Sequence, residues 1–535
     1  MKKKMTALLI LFSAASVLLS ARIFVLITDD EIAAVSSGKG YYTISSAGEY
    51  AGIYDRNMQP LVNYSEKYEA VVIPNSSIAV KIQPYLLDWD TYYSGISGNL
   101  PFLCRVAPEA YALGDRVIIF RSLVRTDRNQ LASHIIGYTS DNVGMYGLER
   151  SYDDFLRSNY SMNSVTLGVD ALGNVLNGID ANVSYADTVN SGIITTLDKN
   201  IQKICEDAAD KYNIKRGAVI VMDTKTGEIR SVVSRPDFNT EDIYSSLNDP
   251  DAPFINRAFS AYSVGSIFKL VTASTAIEEG ISPEYSYICT GSIDINGQVF
   301  NCHKWGGHGE IDMSTAIVES CNPYFIALSE YLNKEAYVET ASAFGFGSST
   351  ELCGGIVSSS GNLQSPSDIE VAAERANMSF GQGMLTATPL QICRMTCTIA
   401  NDGIMNAPSL IKGIVDENGD IKYSDLEAGE RVISYKTART LKGFMQKTVR
   451  AANSMSKPDK TSAAGKTSTA QTGNFDKYGN EIMNCWFTGF FPAYSPRYAV
   501  TILSEGGTSG NTTCGPVFKE IADNITEYEK SLTAK

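Results

Sequence analysis

The order of elements along the chain predicts an α+β fold in which a central antiparallel sheet, completed by both ends of one domain, is flanked by helices. Three observations predict it. The stretch RGAVIVMDTKTGEIRSVVS holds two β-rich runs around Asp223-Thr224-Lys225-Thr226-Gly227, a strong hairpin signal. From there to about Val449 helical periodicities dominate. After Lys460 the pattern returns to strands in KTSTAQTG, NCWFTGFFP and RYAVTILSE, and the chain closes on a polar helix, FKEIADNITEYEKSL.

At 535 residues, with 44% hydrophobic and 19% charged residues, the chain has an ordinary globular balance and room for several domains. A formal net charge of −14, with no basic stripe beyond the first four residues, excludes a nucleic-acid partner. MKKK precedes an uncharged run from Met5 to Ala21, which resumes after Arg22 as IFVLIT and ends at Asp29-Asp30. This order of basic, apolar and acidic residues predicts a transmembrane anchor over residues 1–28, with the N-terminus cytoplasmic and the remainder outside. A signal peptide cleaved at Ser20-Ala21 is the alternative. Residues 29–190 are polar and mixed, with short strand-like runs such as EAVVIP and RVIIF, and a strand-turn-strand pattern over Gly52 to Val62. They read as an extended, β-rich, non-catalytic module, a spacer or docking surface. A boundary near Ser191, where an extended segment runs into an amphipathic helix, opens a second domain over 191–535.

The chemistry of that domain centres on AYSVGSIFKLVTASTAIEEG, Ala261 to Gly280. Apolar residues from Ile267 onward recur at helical spacing, so Ser266 is expected at a helix N-terminus with Lys269 on the same face. A serine hydroxyl is a weak nucleophile, and a lysine kept neutral by burial or by a second cation can activate it. Alone, S-x-x-K is a short pattern that equally describes a capping serine and a solvated lysine. Two further elements follow in order: Ser320-Cys321-Asn322, an S-x-N, and Lys466-Thr467-Ser468-Thr469 at the start of a strand. Each has a use. Ser266 attacks a carbonyl and Lys269 takes its proton, while Lys466 is a like charge that lowers the Lys269 pKa. Ser320 relays a proton towards a leaving amine, and Asn322 hydrogen-bonds a substrate amide. Lys466 and Thr467 suit a substrate carboxylate. The strand edge can pair with an extended peptide, and the backbone N–H groups of Ser266 and Thr469 form an oxyanion hole.

The ten cysteines include no C-x-x-C pair, and the only histidines are His134, His303 and His308. That excludes H-E-x-x-H zinc chemistry and supplies a Ser-His-Asp triad poorly. Cys302, His303 and His308 suggest ligands, but no second Cys/His pair completes a familiar spacing, so no metal and no cofactor are expected.

S-x-x-K, S-x-N and K-T-G in this order are the motif set of penicillin-binding proteins and serine β-lactamases, and the chain matches it with Ser468 in place of the glycine. TLDKNIQ, AVIVMDTKTGEI, NRAFSAYSVGSIFK, GHGEIDMSTAIVESCN, SFGQGMLTATPLQ and GKTSTAQTG with CWFTGFFP resemble, in order, segments of the transpeptidase domain of class B penicillin-binding proteins. GIYDRN and the HIIGY to GLE region resemble that family's N-terminal pedestal. The resemblance implies a β-lactamase/transpeptidase-like domain behind a pedestal and a single-pass anchor in the bacterial cell membrane, with the catalytic domain extracytoplasmic. The activity implied is a D,D-transpeptidase that cross-links peptidoglycan stem peptides and is acylated by β-lactam antibiotics. There is no room for a glycosyltransferase domain before the pedestal, so a polytopic membrane glycosyltransferase is the implied partner. Val264 stands where many relatives have proline. Ser468 stands where glycine is usual, which places its side chain on the strand that floors the substrate groove and counts it with the substrate-binding residues. Cys302 and Cys321 lie close enough to the S-x-N element for a disulfide to lock the site, as similar cysteines in sporulation-type relatives suggest; two free thiols are the alternative. The rival activities are a membrane-attached β-lactamase, a D,D-carboxypeptidase, and an inactive scaffold or β-lactam sensor. No obvious E-x-x-x-N deacylation element follows the S-x-N motif.

Overall fold

Strands Gly217–Asp223 (β1) and Ile229–Arg235 (β2) form the hairpin that the sequence predicts, and the first of them is buried at every position. Burial on both faces explains why the strand reads as a continuous apolar run rather than an alternating one. Ala464–Ala470 (β3), Asn484–Phe491 (β4) and Tyr498–Glu505 (β5) complete an antiparallel sheet in the order β2-β1-β5-β4-β3. The N-terminal hairpin thus pairs with the last strand of the domain, in register from Gly217 opposite Ser504 to Asp223 opposite Tyr498. The computed structural model describes Met5, residues 12–22, and residues 40–533 apart from 47, 64, 75, 141, 159, 171–172, 177–180, 187–190 and 426.

Helices cover both faces of the sheet. Lys199–Lys211 (α1) is capped by Asp198, whose carboxylate accepts from the Asn200 and Ile201 N–H groups. Ile201, Cys205, Ala208 and Ala209 on its apolar face join Val219, Val221, Phe487, Val500 and Ile502 in one core cluster. Val517, Phe518 and Ile521 of the C-terminal helix Gly515–Thr533 enter the same cluster. The alternation of Val219 and Val221, and of Val500 and Ile502, is the period-two pleat that gives one face of each strand to this layer. On the opposite face lies Pro389–Ala400, whose Thr388 and Gln391 form a capping box. Its Cys393 thiol lies 3.9 Å from the Ile220 carbonyl and 3.7 Å from that of Ala499.

The chain divides into two compact units that do not follow a single cut at residue 190: one comprises Met1–Tyr50, Asn63–Arg125 and Asn159–Val189, the other Ala51–Val62, Thr126–Ser158 and Asn190–Lys535. The reason is a parallel pairing of Gly52–Tyr54 with Gly192–Thr195, the latter also pairing with Ile411–Val415. The strand-turn-strand over Gly52 to Val62 keeps its turn, closed by the Asp55 N–H on the Gln59 carbonyl at 2.8 Å, but its first strand is taken up by this sheet. The smaller unit holds two three-stranded sheets, one of Phe102–Val106, Ser65–Val72 and Ile119–Val124 and one of Tyr41–Ser45, Ser164–Gly168 and Asn182–Ser184. Ile44, Val71, Phe120, Val165 and Leu167 pack between them. Of the expected anchor over residues 1–28, only Met5 and a helix over 12–22 fall within the described residues. Among the described residues no helix is long and apolar enough to cross a membrane.

An ion pair ties the end of β5 to the segment that leads to Ser266. The Arg257 side chain is 2% exposed; its Nε donates to Glu505 Oε1 at 2.7 Å, and its remaining nitrogens donate to the Ala252 and Asp251 carbonyls. Tyr262 also donates to Glu505 Oε1, at 3.0 Å, and Arg216 reaches Oε2 at 2.6 Å. Removing the carboxylate leaves a buried guanidinium without its counter-charge, so Glu505→Ala is expected to lower stability by about 3 kcal/mol, read as a lowered urea midpoint. An unchanged midpoint would show that the pair does not hold this segment.

Candidate active site

Ser266 lies in a single 3-10 turn, Gly265–Ile267, that feeds the helix Lys269–Glu278 (α2), so the nucleophile precedes the α-helix instead of starting it. The turn is wedged between two other segments. Gly265 has φ 64°, its N–H donates to the Gly381 carbonyl at 2.7 Å, and a Cβ there would fall 2.4 Å from Ser468 Oγ. Only glycine satisfies both the left-handed backbone and the close approach.

Lys269 is fully buried, and its Nζ meets four oxygens: Ser266 Oγ at 3.0 Å, the Ser320 carbonyl at 2.7 Å, Ser320 Oγ at 3.2 Å and Asn322 Oδ1 at 2.6 Å. Burial pulls its pKa well below the ordinary lysine value, and the nearby Lys466 pulls it further. The donor count agrees with a neutral amine. The Ser320 carbonyl and Asn322 Oδ1 can only accept, and they use the two N–H bonds of –NH₂; the lone pair is left for a hydroxyl proton, and Ser266 is in place to donate it.

Ser320 and Asn322 reach this amine because the chain bends sharply between helices Met313–Val318 (α3) and Asn322–Ser329 (α4), with Ser320 at φ 54°. A non-glycine residue in that region costs about 1 kcal/mol or more, and such strain is characteristic of positions where side-chain aim matters. Lys466 on β3 is likewise fully buried; its Nζ donates to Ser320 Oγ at 3.1 Å and to the Thr467 carbonyl at 2.9 Å. Burial lowers its pKa to about 7. The hydroxyl of Ser320 therefore stands between two amines, an arrangement suited to passing a proton.

β3 is the edge strand of the sheet, paired only with β4 within it. Thr469, with Ser266 a source of the expected oxyanion-hole N–H groups, lies on it, and its Oγ1 accepts from the Gly510 N–H at 3.0 Å. The Thr469 side chain is exposed and that of Thr467 half-buried, on the open side of the pleat. Ser468, counted from the sequence with the substrate-binding residues, has a buried side chain. Its alternation with Thr467 and Thr469 turns it to the buried side, 3% exposed, where its Oγ donates to the Val264 carbonyl at 2.8 Å. The two departures from the family pattern thus meet: the hydroxyl in place of a glycine holds the carbonyl of the residue in place of a proline. A cavity of about 640 Å³ is lined by Tyr262, Ser263, Thr386, Thr472, Asn484 and Glu505, residues that precede Ser266 or lie around the far end of β3.

The cysteines take one of two alternatives left open and give one correction. Cys302 and Cys321 form no disulfide; every cysteine is a free thiol. The ligand set that looked incomplete in the sequence is completed in space: the donor atoms of Cys289, Cys302, His308 and Cys321 all lie within 4.8 Å of one another. Spacing concealed it because a hairpin, Ser292–Ile295 with Gln298–Asn301, separates Cys289 from Cys302, while Cys321 arrives from the start of α4. His303 is not in the group, although its ring lies 5.3 Å from that of His308. Burial raises the Cys289 pKa, but hydrogen bonds from the His308 and Gly291 backbone and from the Cys321 and Cys302 thiols bring it below the ordinary value. Burial dominates at Cys321 and raises its pKa. Sequence reasoning also passed over Glu505 and Tyr262, which no local pattern marks.

Residues 217–526 match the family model described as penicillin binding protein transpeptidase domain. Stage V sporulation protein D of Bacillus subtilis (strain 168) is 29% identical over 416 residues, which cover 74% of this chain and 61% of that protein. Penicillin-binding protein PbpB of Mycolicibacterium smegmatis is 30% identical over 417 residues, covering 73% and 63%. The chain therefore spans a little over 60% of the length of these curated relatives. The crystal structure of penicillin-binding protein 3 from Mycobacterium tuberculosis complexed with ampicillin has the same fold, with a TM-score of 0.64 at 23% identity over 91% of this chain and 96% of that one.

A lysine whose pKa falls on folding lowers stability wherever the unfolded chain holds the extra proton. For Lys466, lowered to about 7, the penalty is present in full below that pH and fades as pH rises towards the unfolded value near 10.5. Lys466→Met is expected to stabilise the fold by a few kcal/mol (order of magnitude, from about 1.4 kcal/mol per pK unit) at pH 7 and much less at pH 10, in paired urea titrations. Equal effects at both pH values would contradict the burial penalty.

Proposed function

The chain belongs to the class B penicillin-binding proteins, and from that premise we propose that it is a peptidoglycan D,D-transpeptidase acting through a serine acyl-enzyme. The observation that carries the reading is the Lys269 amine, buried, depressed in pKa, and within 3.0 Å of the Ser266 hydroxyl. Ser266 attacks the carbonyl of a stem peptide's terminal D,D-amide as Lys269 takes its proton. Backbone N–H groups of Ser266 and Thr469 hold the oxyanion that forms. Ser320, touching both lysines, returns a proton to the departing amine, and a second stem peptide's amine then takes the acyl group from Ser266. Asn322 binds a substrate amide, and Lys466 with Thr467 binds its carboxylate, which would favour the charged form of Lys466 when substrate is bound. The free edge of β3 lets an extended peptide pair as a further strand.

β-Lactams enter the same path because their strained amide is attacked by the same hydroxyl. The apolar run behind MKKK supports an N-terminal single-pass anchor in the bacterial cell membrane, with the two units extracytoplasmic. A polytopic membrane glycosyltransferase, which would supply the glycan strands to be cross-linked, is the proposed partner.

Intact mass of the full chain with and without benzylpenicillin, beside Ser266→Ala, tests the reading. A stable one-drug adduct on the parent and none on the variant is expected. Drug hydrolysed without an adduct would mean a β-lactamase, and drug left intact without an adduct would mean a scaffold; either ends the proposal.

A further inference from the structure

Cys289 ends the strand Tyr287–Cys289, Cys302 follows the strand Gln298–Asn301, and His308 precedes the strand Gly309–Ile311. Cys289 is paired opposite Gly309, and the Cys302 N–H donates to the Gly291 carbonyl at 2.9 Å. Both segments can fold back on themselves because Gly291 and Gly307 adopt φ of 106° and 79°; a Cβ on Gly307 would fall 2.1 Å from the Cys289 carbonyl. The result is two glycine-bent knuckles, one after Cys289 and one between Cys302 and His308, closed from the side by Cys321.

Three sulfurs and one imidazole are a soft donor set, suited to zinc and unsuited to magnesium or calcium. Four protein donors leave no open position, which marks a structural site rather than a catalytic one. Donors held tetrahedrally at about 2.0–2.3 Å from zinc stand roughly 3.3–3.8 Å apart, so donors already within 4.8 Å of one another need shift by only about an ångström. The imidazole carries its own sign. His308 Nδ1 faces Cys302 Sγ at 3.4 Å, while Nε2 is buried with no hydrogen-bond partner and has the Glu319 carboxylate 3.9 Å away. A ligating histidine commonly aims its second nitrogen at such a carboxylate. A disulfide would join two sulfurs and leave the third thiol and the imidazole unpaired beside it; the four-fold convergence favours an ion.

We propose that Cys289, Cys302, His308 and Cys321 form a structural zinc site, and that Cys321 thereby positions the turn that aims Ser320 and Asn322 at Lys269. Cys321 is a positioning residue. It is fully buried, it lies between the two motif residues, and the Ser320 backbone on its N-terminal side is in the left-handed region. A ligand bond at its Sγ fixes the one side chain of that tripeptide with no hydrogen bond to the amine.

The site is tested on the full chain purified under reducing conditions, by elemental analysis of zinc per chain and by cobalt substitution. About one zinc per chain is expected, together with a thiolate-to-cobalt charge-transfer band in the cobalt form; Cys289→Ser and Cys302→Ser should lose most of the zinc. His308→Cys keeps four donors, so it should still bind one metal with a stronger charge-transfer band, which separates ligand loss from misfolding. Chelation should slow fluorescent-penicillin acylation at least tenfold, with recovery on adding zinc but not magnesium. Absence of zinc after growth with zinc, full zinc content in the serine variants, or a Cys302–Cys321 disulfide in the mass spectrum would overturn the site. Acylation indifferent to chelation would overturn the positioning role. Zinc content is read without any β-lactam, so a zinc-loaded chain that is never acylated would sink the proposed function and leave the metal site standing.

Discussion

Two lysine amines, both without solvent exposure, share the hydroxyl of Ser320, and the rest of the site follows from that constraint. Two ammonium ions in such a place are mutually destabilising and each is poorly solvated, so the arrangement forces at least one proton off. Lys269 is held well below the ordinary lysine value by burial and then by the facing Lys466. A neutral amine beside Ser266 is therefore a consequence of packing rather than a feature added to it. The stability given up by burying the lysines is of the kind that active sites commonly sacrifice for chemistry.

The fold supplies that packing from distant parts of the chain. Hairpin β1-β2 and strands β3 to β5 lie more than two hundred residues apart in sequence, yet they form one sheet whose edge carries Lys466. The turn bearing Ser266 is pressed against the same edge through Gly265 and Ser468, and Glu505 at the end of β5 holds the preceding segment through Arg257 and Tyr262. The helices bearing Lys269 and Asn322, with the bend that carries Ser320, complete the enclosure. No single element contains the site; the long-range pairing of the two ends of the domain makes it.

Much of this was legible in the sequence. The strand-helix-strand order foretold the sheet, and three short motifs foretold which hydroxyls, amines and amide would converge, because each carries chemistry at a fixed local spacing. What escaped was set by contacts that local spacing does not encode. The helix start was placed at Ser266, while the chain makes a 3-10 turn there first, since Gly265 must pass under the strand. Ser468 was counted with the substrate-binding residues, whereas the two-residue pleat turns it inward. The Gly52–Tyr54 segment belongs with the larger unit through a parallel pairing that nothing nearby announces. Cys302 and His308 were noticed as ligands and Cys321 as a disulfide partner, but Cys289 lies across a hairpin and Cys321 just before another helix, outside any familiar ligand spacing.

The account stands or falls on Lys269 being neutral at working pH. Its most direct test is the second-order rate constant for benzylpenicillin acylation of Ser266 measured from pH 5 to pH 11, with the fold monitored at each pH. A rate that falls on acidification along a one-proton titration, centred well below the ordinary lysine range, is the predicted result. A titration that stays near the usual lysine value of about 10.4, or a rate unaffected by acid, would contradict it.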